Sequence, residues 1–341
     1  MTQILIDGSS GGGQLLRSSL TLSLITGQPF RITRIRGSRP KPGLMRQHLT
    51  CVNAAQQISN AQVEGATLGS TELTFTPSTL QSGDYHFSIG TGGSTTLVLQ
   101  TLLPALLHAN APSALRIEGG THNPMAPPFE FIDQCYLPLL KRMGAKATVH
   151  LEKPGFMQAG GGIITANINP LKKWKPLHLL DRGELITTYG AILHAHLHRS
   201  IAERELTSAA AILNWSADQF TITDQPQSSG PGSILLLAAQ FEHITEISSS
   251  VAQMGRRAEA VGISAAKGLR NFLGTNAAVG YHLADQLLLP LSLAGKGSFT
   301  TFTLSKHTQT HMTLIPQFLP VQFTAAEIAP GNHLIKVSKA P

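Results

Sequence analysis

Cysteine is scarce in this chain: 341 residues contain two, Cys51 and Cys135. Two cannot build a disulfide scaffold, and their separation has no zinc-ligand spacing. Reduced thiols in a cytoplasmic protein are therefore expected. Long apolar runs are also missing. The stretches at 97–107 and 287–293 are broken by Pro104 and Pro290. Both fall short of the roughly 18–20 residues that span a bilayer, so no membrane partner is expected. The opening Met-Thr-Gln-Ile-Leu-Ile-Asp lacks a basic region followed by an apolar stretch, so no signal peptide is expected either. Several catalytic signatures are absent. There is no G-x-x-x-x-G-K-[ST] phosphate loop, no H-E-x-x-H or paired C-x-x-C, and no G-x-S-x-G elbow. No K-x-D-G run is present to carry an adenylate on lysine. If a nucleotidyl group is held covalently here, histidine is the candidate.

What is present points to a folded, loop-rich protein. Hydrophobic residues make up 42% and charged residues only 13%, with 32 Gly and 20 Pro. That balance excludes a disordered chain. The length implies two domains, or one domain with a sizeable insertion. The net charge is +7, which favours a polyanionic partner such as nucleic acid or a nucleotide.

A long-period repeat runs through the chain. Arg17–Pro29 and Gln100–Pro112 have the same length, and each ends in a turn followed by a strand-like run, 30–35 and 114–117. Each then enters a Gly/Pro loop, at 36–42 and 118–124, and a helical pattern, at 44–58 and 129–143. A third copy begins near Gln286, where Gln-Leu-Leu-Leu-Pro echoes Gln-Thr-Leu-Leu-Pro from Gln100. In this register Arg17, Gln100 and Gln286 share one position. Arg39, Thr121/His122 and His307 share another, allowing one residue of slippage. The predicted class is α+β, with three strand–helix–strand–helix–strand–strand units. Lys172–Asn271 fits no repeat and reads as an inserted domain, interrupting or preceding the third unit. The predicted division is 1–175 for the first two units, 176–274 for the insertion and 275–341 for the third unit.

The loops carry the chemistry. Gly8–Gly13 and Gly90–Gly93 each precede a helix, where backbone N–H groups suit phosphate. Arg36, Arg39, Lys41 and Arg46 crowd one Gly/Pro loop, followed by Gln47 and His48. Guanidinium forks and ammonium groups there can hold phosphates. His307 lies among hydroxyls and an amide, with Lys306 beside it, and the register aims it at the region of Arg39. His311 is its rival, one helical turn on; a metal pair there has no third ligand in view.

These residues bring the chain into a known pattern. It resembles RNA 3′-terminal phosphate cyclases along nearly its whole length. The matching runs include Gly11-Gly-Gly-Gln-Leu-Leu-Arg17, Lys41-Pro-Gly-Leu-Met-Arg-Gln-His48, Leu97-Val-Leu-Gln-Thr101 and Gly119-Gly-Thr-His-Asn-Pro-Met-Ala-Pro-Pro128. Ala159-Gly-Gly-Gly162, Ala202-Glu-Arg-Glu205, Gly230-Pro-Gly-Ser233, His282-Leu-Ala-Asp-Gln286 and His307-Thr-Gln-Thr310 follow in the same order.

The resemblance implies repeats like the C-terminal domain of translation initiation factor three, related to enolpyruvyl transferases, plus a smaller inserted α/β domain. It implies ATP-dependent conversion of an RNA 3′-phosphate end into a 2′,3′-cyclic phosphate, with a divalent metal ion, Mg or Mn. His307 would carry the adenylate. Arg17, Arg39, Gln47 and His48 would hold phosphates of ATP or RNA. Gln100, Pro127, His282, Leu283, Ala284, Asp285 and Gln286 would form the ATP site. The chain departs from the family where members read D-G-x-x-G-E-G-G-G-Q: Asp7–Gln14 is two residues shorter and lacks the glutamate. Gln158 stands where proline is common, and His282, beside Tyr281, where tyrosine is common. Two other readings stay open. One is a cyclase-like RNA-binding protein of ribosome assembly without catalysis, which lacks the nucleophilic histidine. The other is an enolpyruvyl transferase, which forms no covalent adenylate.

Overall fold

The computed structural model describes residues 3–340. One element order occurs three times. The first unit comprises β1 (Ile4–Asp7), α1 (Gly13–Thr26), β2 (Phe30–Thr33), α2 (Arg46–Gln57), β3 (Gln62–Glu64) and β4 (Leu73–Thr76). The second has β5 (Asp84–Ser88), α3 (Thr95–Leu106) and β6 (Ser113–Gly119). Next comes a helical rod: α4 (Phe129–Phe131), a π segment (Ile132–Tyr136) and α5 (Leu137–Arg142). β7 (Lys146–Lys153) and β8 (Gly162–Asn169) close the unit.

The third unit begins with β9 (Leu177–Leu179) and then breaks off for the inserted domain. That domain holds β10 (Leu185–Ala195), α6 (Arg199–Leu213), β11 (Phe220–Asp224), β12 (Gly232–Phe241), β13 (Thr245–Val251) and α7 (Ala258–Leu273). The unit resumes with α8 (Tyr281–Leu293), β14 (Gly297–Thr301), α9 (Lys306–Leu314), β15 (Val321–Ala329) and β16 (Asn332–Lys339).

The sheets repeat the same pairing: β1-β2-β4-β3, β5-β6-β8-β7 and β9-β14-β16-β15. In each, the first two strands are parallel and the rest antiparallel. The expected repeat is therefore present. Of the two placements expected, the insertion takes the interrupting one: it splits the third unit after its first strand, so that unit begins at β9 and not at 275. Leu177–Leu179 pairs with Gly297–Phe299 across the whole inserted segment. A three-residue Leu-His-Leu strand is too short to carry a periodic signal.

The first helix of each unit is buried nearly all round, as its composition requires. α3 buries Leu97, Val98, Leu99, Leu102, Leu103 and Leu106. α8 buries Leu283, Leu287, Leu288, Leu289 and Leu291. α1 buries leucines together with hydroxyls that find partners. Ser19 donates to the Leu15 carbonyl at 2.6 Å and Thr21 to that of Thr101 at 2.8 Å. Among the described residues no helix is long and apolar enough to cross a membrane.

The inserted sheet, ordered β11-β10-β12-β13, is tied to the second unit. Tyr189 donates to Gln134 Oε1 at 2.6 Å, and Arg142 Nη1 to the His243 carbonyl at 2.7 Å. Arg182, entering the insertion, lies over Phe241 and Phe272 and donates to the carbonyls of Phe272 and Leu273 at the end of α7 and of Thr275 beyond it.

Candidate active site

The glycines at the start of α1 leave room for other groups. The helix has Gly12 at its N-cap and no side-chain cap. Its first N–H groups thus lack the usual side-chain partner. A Cβ on Gly12 would sit 3.3 Å from Arg39 Nη2. A Cβ on Gly13 would sit 2.1 Å from His48 Nε2 and 2.9 Å from Arg17 Nη1. Two guanidiniums and an imidazole therefore close on a bare helix N-terminus, which is an anion cradle.

The surrounding loop is held in shape by its own charges. Arg36 Nη1 donates to the carbonyls of Lys41 and Gly43 at 2.7 and 2.9 Å. Arg34 pairs with Asp7. Arg17, Arg39, Lys41 and Arg46 make no side-chain hydrogen bond or ion pair among the described residues. Of the four basic residues predicted in this loop, Arg36 is structural and the rest are free.

His48 is buried, and the Met45 N–H donates to its Nδ1 at 3.2 Å. Burial, with the Arg17 and Arg36 charges, pushes it down to about 3. The ring is neutral near pH 7. With Nδ1 accepting, Nε2 carries the proton and points it over Gly13. Arg17 is lowered by burial, against the pull of Cys51 and Asp285. It remains a guanidinium.

His307 is the second residue of α9. Ser305 caps this helix by accepting from the Thr308 N–H at 2.9 Å. Gln14 Nε2, one residue beyond the cradle, donates to the His307 carbonyl at 3.0 Å. His307 Nδ1 faces Asp285 Oδ2 at 3.6 Å, with the His307 side chain 55% exposed and that of Asp285 14%. The expected flanking charge was Lys306; the charged group the ring nitrogen faces is the Asp285 carboxylate.

His311 is not a metal partner. Its Nδ1 is 2.8 Å from the Asp285 carbonyl, so it donates there, and Nε2 accepts from Ser18 Oγ at 2.6 Å. Both nitrogens are used in joining α9 to α8 and α1. Burial lowers its pKa, consistent with the neutral ring.

The remaining predicted residues separate into groups. Gln100 Nε2 donates to Gln286 Oε1, so two residues of one repeat position meet. Gln47 Oε1 accepts from the Ser94 N–H at 3.0 Å and helps start α3. The Pro127 carbonyl accepts from Thr96 Oγ1 at 2.7 Å. His282 is exposed on the first turn of α8, edge-on to Tyr281. Leu283 and Ala284 are fully buried in the core and offer a ligand only their main chain. These contacts close a ring: His48 of α2 over α1, Gln14 of α1 to α9, His311 of α9 to α8, Gln286 of α8 to α3, and Ser94 ahead of α3 to α2.

The predicted equivalence of Arg39, His122 and His307 does not hold. His122 is fully buried, with Nε2 at 3.1 Å from Glu130 and Nδ1 at 2.7 Å from Thr121 Oγ1. The cause is loop length: the second helix follows residues 34–45 in unit one, 120–128 in unit two, but only 302–305 in unit three. Counted from the helix start, His307 matches Gln47 and Glu130. Counted likewise, Asp285 matches Arg17, and its charge is close enough to oppose the lowering of Arg17 by burial. Gln14 and Ser18 were missed as site-building residues. Gln14 lay within the quoted glycine run, whereas Ser18 carries no sequence signal.

Among the described residues no group of three or more His, Cys, Asp and Glu converges. The donors do not form a protein metal cage; Asp285 is the one carboxylate paired with His307.

A family model described as RNA 3′-terminal phosphate cyclase matches residues 9–325. The RNA 3′-terminal phosphate cyclase of Koribacter versatilis (strain Ellin345) is 49% identical over 96% of this chain and 93% of its own. That of Ectopseudomonas mendocina (strain ymp) is 48% identical over 94% of each. Among solved structures, an EPSP synthase from Acinetobacter baumannii aligns at a TM-score of 0.26 and 12% identity, covering 62% of this chain and 55% of that one. At that score the likeness carries no statement about fold.

Proposed function

The chain belongs to the RNA 3′-terminal phosphate cyclase family, an enzyme of the ligase type, and from this premise we propose that His307 carries the adenylate in an ATP-dependent cyclisation of RNA 3′-phosphate ends. The observation that carries the reading is the seat of His307. Its ring is exposed, its Nδ1 faces a shielded carboxylate, and its main chain is held by the residue that follows the anion cradle.

The chemistry follows from these groups. With the Nδ1 proton directed to Asp285, Nε2 keeps its lone pair and attacks the α-phosphorus of ATP. The bond to the bridging oxygen breaks and pyrophosphate leaves. Asp285 offsets the positive charge that forms on the imidazole, as a carboxylate does for a catalytic histidine. Arg17, Arg39 and the His48 Nε2–H hold phosphate oxygens against the N-terminus of α1. An oxygen of the RNA 3′-phosphate then attacks the adenylate phosphorus and frees His307. Finally the adjacent 2′-oxygen attacks the activated 3′-phosphorus, loses its proton and displaces AMP. That last step gains from proximity, since nucleophile and phosphorus share one ribose.

ATP's base and ribose fit the α8 side, with exposed His282, the Gln100–Gln286 pair and Pro127 nearest. A divalent ion supplies charge neutralisation when bound. Its ligands here would be phosphate oxygens and water, with Asp285 the nearest carboxylate. Lys41 and Arg46, on the same loop and outside the cradle, suit the RNA backbone.

Incubation with ATP labelled on the α-phosphate tests the reading. Label should stay with the denatured protein, be released by acid, and be absent from His307→Ala. Label that persists in His307→Ala would assign the nucleophile elsewhere.

A further inference from the structure

Beside the cradle lies an open cleft of about 410 Å³. That is within the usual range for a small-ligand pocket, roughly 300–1,000 Å³. It is lined by Gln47 and Leu97 and by the loops at 91–94, 123–126 and 157–158. All of these belong to the first two units. His307 and Asp285 belong to the third and do not line it. The cleft meets the cradle through Gln47, the neighbour of His48.

The loops around the cleft are locked before any ligand arrives. Asn123 Nδ2 donates to the Gly92 carbonyl, and the Gly120 N–H to that of Gly93 at 2.7 Å. Met125 and Gln158 adopt left-handed backbone angles, φ 65° and 90°. Non-glycine residues take that conformation only where the surroundings enforce it. What this holds up is unusual on a solvated surface: Met125 is 87% exposed and Met157 45%. They share the cleft with Leu97 and Pro124, and with the amides of Asn123 and Gln158. Apolar faces beside adaptable amides suit a planar heteroaromatic ring with hydrogen-bonding edges. Thioethers pack well against aromatic rings.

We propose that this cleft receives the 3′-terminal nucleoside of the RNA, with its phosphate entering the cradle once pyrophosphate has left it. The assignment rests on the cyclase reading above. Phosphoryl transfer brings the attacking and leaving groups to the phosphorus from opposite sides. The nucleophile that leaves the adenylate, His307, belongs to the third unit, so the RNA end approaches from the side the first two units form. The Gln158 amide, which can donate or accept, can serve any of the four bases, and the ring faces are what the methionines recognise.

The test pairs a protein change with a substrate change. The double variant M125A/M157A and the filling variant Ala126→Trp are compared with the unsubstituted protein, which sets the reference. Each is given ATP alone, and then ATP with an oligoribonucleotide 3′-phosphate with or without its terminal base. The expected result is self-adenylation within about twofold of the parent, and a KM for RNA raised on the order of tenfold, the scale of one stacked base. Removing the terminal base should weaken the parent equally and the variants little further. Loss of self-adenylation in the variants would give the cleft to the base of ATP and overturn the proposal. Unchanged KM for RNA in both variants would overturn it too. A parent that forms no adenylate from ATP alone would overturn the cyclase reading itself, and this assignment with it.

Discussion

Replacing Gly13 with alanine adds one methyl group at the floor of the cradle. The new carbon would lie 2.1 Å from His48 Nε2, 2.7 Å from His48 Cδ2 and 2.9 Å from Arg17 Nη1. Ordinary contact needs about 3.5 Å. The imidazole must therefore retreat by more than an ångström, and the guanidinium by somewhat less. Both are side-chain ends, so the backbone can stay. The loss is one or two hydrogen bonds to a charged phosphate, about 1.5–3 kcal/mol each. One such bond corresponds to roughly 10- to 150-fold in the rate of adenylation at subsaturating ATP. Stability should move the other way, because alanine in a helix is favoured over glycine by about 0.5–1 kcal/mol. The assay is single-turnover formation of labelled protein, alongside thermal unfolding. The expected outcome is a more slowly labelled protein that melts no earlier than the parent. In a His48→Ala background the Gly13→Ala loss should shrink, since the two changes remove a shared contact. Full adenylation by Gly13→Ala would refute the cradle as a phosphate site.

Further expectations are as definite. Asp285→Asn should slow adenylation by roughly 10- to 100-fold at neutral pH with little change in ATP affinity, because it removes charge stabilisation that arises only as His307 becomes cationic; rapid-quench labelling measures it. Glu246 on β13 is buried, with its carboxyl packed against Gly280 at the start of α8. Burial, against Gly280 and Arg182, pushes it up to about 8 from 4.5. The folded chain then holds this proton where the unfolded chain has lost it, so stability is full below about pH 4.5 and falls as pH rises toward about 8. Glu246→Gln should match the parent in denaturant midpoint at pH 4.5 and exceed it at pH 8; an equal difference at both would contradict the assignment. Glu205, pushed up to about 7 by burial against its Ser233 hydrogen bond, should contribute the same trend, so Glu205→Gln should also flatten the pH profile of stability.

How much of this was written in the sequence varies by element. The first two units were legible because each repeats a leucine-rich helix before a Gly/Pro loop, and the third because Gln286-Leu-Leu-Leu-Pro echoes the run from Gln100. The inserted domain was legible because it broke that pattern. Its entry point was not, since Leu177–Leu179 finds its partner strand only after the insertion. Arg17, Arg39 and His48 meet because two glycines admit them, and the glycine run was visible in the chain. The pairing of His307 with Asp285 was not derivable from residue counting, because the third unit's loop is short. That same count placed His122 beside the site, whereas the fold buries it against Glu130. Leu283 and Ala284 sit in a motif but turn inward, since a buried helix presents most of its side chains to the core. The cleft at Met125 and Met157 joins three loops distant in sequence, and no linear pattern announces it.

The central claim is that an adenylate on His307 is passed to the RNA end. The protein is labelled with ATP, freed of nucleotide, and chased with an RNA 3′-phosphate in the absence of ATP. The account predicts that label leaves the peptide containing His307 and that AMP and a 2′,3′-cyclic end appear in equal amounts. Label that stays on the protein while cyclic ends form, or label mapped to another peptide, would contradict it.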